Sequence, residues 1–173
     1  MKPFFFFLFL ETSFASTPSP VDRIVIVIEE YTITQSDIAL EQDLSFIIPS
    51  SSKTLQHYRE TKPKEALLQR NLLRIFAGDI GLYSANPTEI QYRYEQFLSH
   101  WKQIQEYNNF ILSHGLDEAR LLGLIKSQII AENYLKKNIG INPDQNLQDT
   151  QQKFEQWLEQ TPPYSQRILR VEE

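Results

Sequence analysis

A mostly α-helical domain tied off by a small antiparallel sheet is the fold class this sequence predicts, and three features predict it. Ile24-Val25-Ile26-Val27-Ile28 places five β-branched residues in a row, and branching at Cβ suits a pleated surface better than a helix. The chain between residues 35 and 159 carries apolar residues at helical spacing, broken by proline, glycine and capping residues. The only other good strand candidate, Ile168-Leu169-Arg170-Val171, lies at the far end. Pairing it with Ile24–Ile28 would join the two ends of the domain and cover a sticky strand edge.

The elements follow in order. The unbroken apolar run at 24–28 suggests a strand covered on both faces. Glu29-Glu30 breaks it, and Tyr31-Thr32-Ile33 reads as a short return. Thr34 with Asp37 three residues on resembles a capping box, so a helix is expected from about Gln35 to Phe46, stopping before the Pro49-Ser50-Ser51-Ser52 loop. Leu55 and Tyr58 suggest a short helical piece. A second clear helix begins near Pro63, with Leu67, Leu68, Leu72, Leu73, Ile75 and Phe76 as its stripe and Gly78 or Gly81 as its stop.

Asn86-Pro87-Thr88-Glu89 combines an N-cap, a proline at the first position and an early carboxylate. The helix it starts aligns Ile90, Tyr94, Phe97, Leu98 and Trp101 on one face. A shorter helix is expected from about Ile104 to Ser113, ending at His114-Gly115. Asp117 caps the longest, to roughly Asn138, with Leu121, Leu122, Leu124, Ile125, Ile129, Tyr134 and Leu135 apolar and Gly140-Ile141-Asn142-Pro143 as its stop. A last helix, about Asn146 to Glu159, carries Leu147, Phe154, Trp157 and Leu158 and ends before Pro162-Pro163.

The N-terminus has its own grammar. Lys2, the apolar run Phe4 to Leu10 and Ser13-Phe14-Ala15 have the layout of a secretory signal peptide over residues 1–15, followed by a flexible leader at 16–20 and the domain proper at 21–173. Seven apolar residues are too few for a spanning helix, which needs ~20, so no stable membrane insertion is expected after removal. That segment holds six of the 11 Phe and the only Met. The 173-residue chain suffices for one domain with a real core.

Lys and Arg total 17 against 22 Asp and Glu, a net charge of −5, which argues against nucleic acid as a partner. The absence of cysteine excludes disulfides and thiolate chemistry. His57, His100 and His114 lack metal-ligand spacing, no serine sits in a nucleophile elbow, and the five glycines form no phosphate loop. Neither catalysis, a metal nor a cofactor has support.

Binding has more. Tyr92 falls off the Ile90/Tyr94/Phe97/Trp101 face, while Tyr107, Tyr83 and Tyr58 fall near helix ends or loops, and amphipathic rings at partly exposed positions can hold varied polypeptides. The bland alternative for Phe97 and Trp101 is simple core packing. Tyr92, Tyr94, Phe97, Trp101, Tyr107, Phe110, Leu121 and Ile125 form the candidate peptide-binding set.

The order of motifs also resembles a family. Val21-Asp22-Arg23-Ile24-Val25 through Ile28, the return ending at Ile33-Thr34, the Leu67-Leu68…Leu72-Leu73-Arg74 helix with its glycine stop, the capped start at Asn86, Asn109-Phe110…His114-Gly115-Leu116 and Phe154…Trp157-Leu158 to Ile168-Leu169 together resemble the N-terminal module of SurA-type periplasmic chaperones. The resemblance covers nearly the whole chain after residue 20. It implies a SurA N-terminal-like fold, a periplasmic location and an ATP-independent holdase function for unfolded or extended polypeptides, outer-membrane proteins in particular. Family members commonly insert parvulin-type prolyl isomerase domains after the long helix. Only Asn142–Gln145 stands there, so isomerase activity is not carried over. The alternative on the same scaffold is a dedicated interaction or structural subunit that grips one partner or a second copy of itself.

Overall fold

The hairpin expected at the N-terminal end sets the register of everything after it. In the structure, a computed structural model that describes residues 22–140, 146–160 and 168–171, strand β1 (Ile24–Ile28) pairs antiparallel with β2 (Tyr31–Thr34), Ile28 facing Tyr31 and Val27 facing Thr32. Two residues connect them, and Glu29 takes φ 49°, the left-handed value that tight hairpin turns demand. Strand β3 (Ile168–Val171) lies antiparallel on the other side of β1, Ile26 opposite Val171 and Ile28 opposite Ile168. The sheet order is β2-β1-β3, so the two ends of the domain do meet. Cover on β1 is less complete than its composition suggests: Ile26 and Ile28 are buried, whereas Ile24 is 43 % exposed.

Helix α1 (Gln35–Ile47) starts with both halves of the capping box in place, Asp37 N–H donating to Thr34 Oγ1 and Thr34 N–H to an Asp37 carboxylate oxygen. Helix α2 (Lys53–Thr61), capped by Ser52, and α3 (Pro63–Ala77) follow, and Gly78 ends α3 at φ 52°. A 3₁₀ turn at Gly81–Tyr83 leads to α4 (Pro87–Ser99), α5 (Ile104–Ser113) and the Asp117-capped α6 (Glu118–Tyr134), which widens into a π turn at Leu135–Ile139. Helix α7 (Leu147–Gln160) precedes β3. The proposed signal peptide and leader, the Ile141–Gln145 connection and Pro162-Pro163 lie outside the described residues. No helix among the described residues is long and apolar enough to cross a membrane.

Three apolar clusters make the core. Leu67, Leu68 and Leu72 of α3 cover Val25, Ile26, Ile28 and Ile33 of the hairpin. Leu40, Leu44 and Ile48 meet Phe97, Leu121, Ile125 and Ile129 where α1, α4 and α6 converge. Leu55 and Tyr58 of α2 close on Leu73, Ala131, Leu135 and Phe154, with α7 further tied to α2 by a buried hydrogen bond between the Thr54 and Thr150 hydroxyls, 2.8 Å.

Candidate functional site

The α4–α5 corner carries most of the residues singled out from sequence, and the structure separates them by depth. Asn86 caps α4 by accepting from Thr88 N–H, and the stripe Ile90, Tyr94, Phe97 and Trp101 turns toward α1 and α6. The chain then reverses, and α5 lays Tyr107 and Phe110 back over the same rings. Phe97 is the hub, with ring centroids 5.7 Å from Trp101, 6.2 Å from Tyr107 and 5.9 Å from Phe110. Trp101 and Phe110 approach to 4.9 Å. Such tilted and edge-on pairs satisfy the ring quadrupoles.

Phe97 is fully buried, and Leu121 and Ile125 are nearly so. They face no solvent and are corrected here to core residues, because α5 and α1 close over them. Tyr58 and Tyr83, expected near the surface from their positions by helix ends, are also buried. Tyr58 stands edge-on to Phe154, and Tyr83 packs on Tyr134 and donates its hydroxyl to Asn138 Oδ1 at 3.2 Å. Tyr94, Trp101, Tyr107 and Phe110 are half-buried. Tyr92 is 59 % exposed and stands apart, its hydroxyl accepting from Gln96 Nε2.

What remains open to solvent is a groove of about 360 Å³ lined by Leu98, Trp101, Lys102, Gln103, Ile104 and Tyr107. Leu98 is 41 % exposed and Ile104 73 %. The sequence reading missed Ile104 as a surface residue, and Leu112, 79 % exposed on the same helix, was missed with it. The signal was present: α5 has more apolar positions than one stripe can bury. Helix α5 contains no fully buried residue at all. The Trp101 indole N–H is shielded from solvent and meets no acceptor among the described residues.

A second set of residues that the sequence reading passed over holds this corner to the rest. Arg93, on the inward side of α4, donates to both Glu132 carboxylate oxygens at 3.1 and 2.6 Å and to Glu89 at 2.6 Å. Glu132 also accepts from the Ser50 and Ser51 hydroxyls and from Gln128. Burial alone would raise the Glu132 carboxyl, but hydrogen bonds from Arg93, its charge and the serine hydroxyls hold it below its ordinary value. Glu41 of α1 likewise receives Arg59 at 2.8 Å and Arg70 at 2.7 Å, which outweigh its burial and lower its pKa. Burial lowers Arg59 despite Glu41, since Arg70 adds a like charge, yet a guanidinium stays protonated in this range. These groups form an ion-pair frame, in which the buried Arg70 Nε–H meets no acceptor among the described residues. No cluster of His, Asp or Glu among the described residues could hold a metal ion.

Compared with family models, with characterised proteins and with solved structures, the chain matches none.

Proposed function

We propose that this chain is an ATP-independent polypeptide-binding module, a holdase-type chaperone for unfolded, extended segments such as those of outer-membrane proteins, acting in the periplasm without prolyl isomerase activity. The observation that carries the reading is the groove between the end of α4 and the start of α5. Aromatic walls from Trp101 and Tyr107 and exposed aliphatic rims from Leu98 and Ile104 present apolar area that tolerates many side chains. The order of elements and the terminal sheet add the SurA-like resemblance as support. Phe97, Leu121 and Ile125 now serve as the packing beneath the groove, and Tyr94 and Phe110 as its supports.

The test is suppression of aggregation. The purified domain, in molar excess, should slow aggregation of a urea-unfolded outer-membrane protein on dilution and should not speed isomerisation of a prolyl peptide. The double variant Leu98→Asp, Ile104→Asp should weaken client affinity about tenfold or more, because each apolar side chain covered by a client is worth ~1.5–3 kcal/mol. Both positions are solvent-facing, so the melting temperature should hold. A parent protein with no holdase effect would instead favour a dedicated partner-binding subunit, and clear isomerase turnover would overturn the non-catalytic reading.

A further inference from the structure

The free edge of the sheet carries a second contact for the same kind of ligand. In the hairpin, Ile28 and Tyr31 flank the two-residue turn and form the hydrogen-bonded pair, and main-chain direction alternates from there along β2. Gln35 N–H confirms the phase, bonding inward to Arg23 carbonyl at 2.9 Å. Thr32 and Thr34 therefore aim their main-chain groups away from β1. Asp37 takes the Thr34 N–H, whereas Thr32, exposed at its side chain, has no main-chain partner beyond β1 among the described residues, the sheet order being β2-β1-β3.

Two adjoining clefts run along this edge. One, about 290 Å³, is bounded by Thr32 and Ile33 with Asn71 and Arg70 of α3 and Ser127 of α6. The other, about 430 Å³, continues past Tyr31 and the turn. Arg74, Gly123 and Ser127 line both, and no residue of β1 lines either. The clefts thus open on the edge of the sheet, not over its face. Arg74 lies 5.0 Å above the Tyr31 ring, holding one wall in place.

Gly123 points to what fits there. It sits inside α6, where glycine is unfavourable against alanine, and a Cβ built on it would meet nothing within 4 Å. Packing against the described residues does not require a glycine at that position. Without a side chain there, the floor of the cleft stays open to a passing backbone.

We propose that an extended polypeptide segment lies in this cleft as an added strand on β2, exchanging main-chain hydrogen bonds with Thr32 while its backbone passes over Gly123. The inference rests on the polypeptide-binding reading and gives it a main-chain contact, in which side-chain identity counts for little.

The probe is a short labelled peptide alternating Thr and Val, alongside the same peptide N-methylated at every second residue. The parent should bind the first, and N-methylation on the pairing edge should weaken it about tenfold. Gly123→Trp, which fills the cleft, should weaken it equally, and Gly123→Ala less. Should Gly123→Trp melt well below Gly123→Ala, Thr32→Pro, which removes the outward N–H from an edge strand, carries the test. Unchanged binding by the N-methylated peptide or by the blocked variants overturns the edge contact. So does a parent that restrains outer-membrane protein aggregation yet ignores the peptide, and this leaves the holdase reading standing; a parent that does neither ends both. A dimer in sedimentation that dissolves in Thr32→Pro would make the occupant a second copy and overturn the client assignment.

Discussion

At the scale of single residues, Glu132 shows how a helix domain can be fixed by charge inside its core. Its carboxylate collects Arg93 from α4, two serines from the α1–α2 loop and Gln128 from its own helix. Removing one partner of a buried pair leaves the other charge uncompensated, a loss of ~3–5 kcal/mol. Glu132→Gln keeps the shape and abandons the charge, and Glu89 remains near Arg93, so destabilisation of about 3 kcal/mol is expected in urea titration. The pH dependence follows from the lowered pKa values of Glu41 and Glu132. A carboxyl whose folded pKa lies below its unfolded value of ~4.3 contributes fully above that value and loses its contribution as pH falls through the folded one. Stability should hold at neutral pH and decline below about pH 4.3, with a shallower decline in Glu132→Gln. An equally steep acid limb in the variant would remove Glu132 from the account.

At the scale of elements, α5 differs from its neighbours. It has no fully buried residue and is held through the rings of Tyr107 and Phe110, while α3 and α6 bury leucines and isoleucines along their length. Hydrogen exchange should therefore find the amides of residues 104–113 opening well before those of α3 and α6, and a saturating client should slow them. Protection equal to that of α6 would mean that the groove is rigid. The elements themselves were legible because their signals are local: β-branching at 24–28, the caps at Thr34, Asn86 and Asp117, the glycine stop at 78. Depth within a stripe was not legible. Phe97 and Trp101 share one helical face, and only the return of α5 decides that the first is sealed and the second lines a groove. Arg59, Arg70, Arg93, Glu41 and Glu132 occupy apolar-stripe positions, three or four residues from Leu55, Leu67, Phe97, Leu44 and Ile129 respectively. A charge there reads as a break in the pattern until its partner on another helix is known. The β2 cleft needs three elements at once, so no sequence window contains it.

At the scale of the whole molecule, two devices hold the helices and the sheet together. The first is the ionic frame: Glu41, Glu89 and Glu132 balance Arg59, Arg70 and Arg93, joining α1, α2, α3, α4 and α6 without net charge. The second is β3, which reaches from the end of the domain to pair with its first strand. Terminal segments usually tolerate removal, but this one supplies the ladder on one side of the central strand. Deleting the residues after Pro163 should expose the β1 edge and begin to uncover Ile26 and Ile28, now 1 % and 0 % exposed. Each such side chain is worth ~1.5–3 kcal/mol when fully buried, against a net stability of ~5–15 kcal/mol for a typical domain. The truncated protein should melt several degrees lower and aggregate through the exposed strand. The ionic frame, lying on the helical side, should survive, so far-UV helicity at low temperature should change little while the melting temperature falls. If the truncated chain instead stays soluble and melts with the parent, the helices and the β1–β2 hairpin are self-sufficient, and the closing of the sheet by β3 contributes no stability of its own.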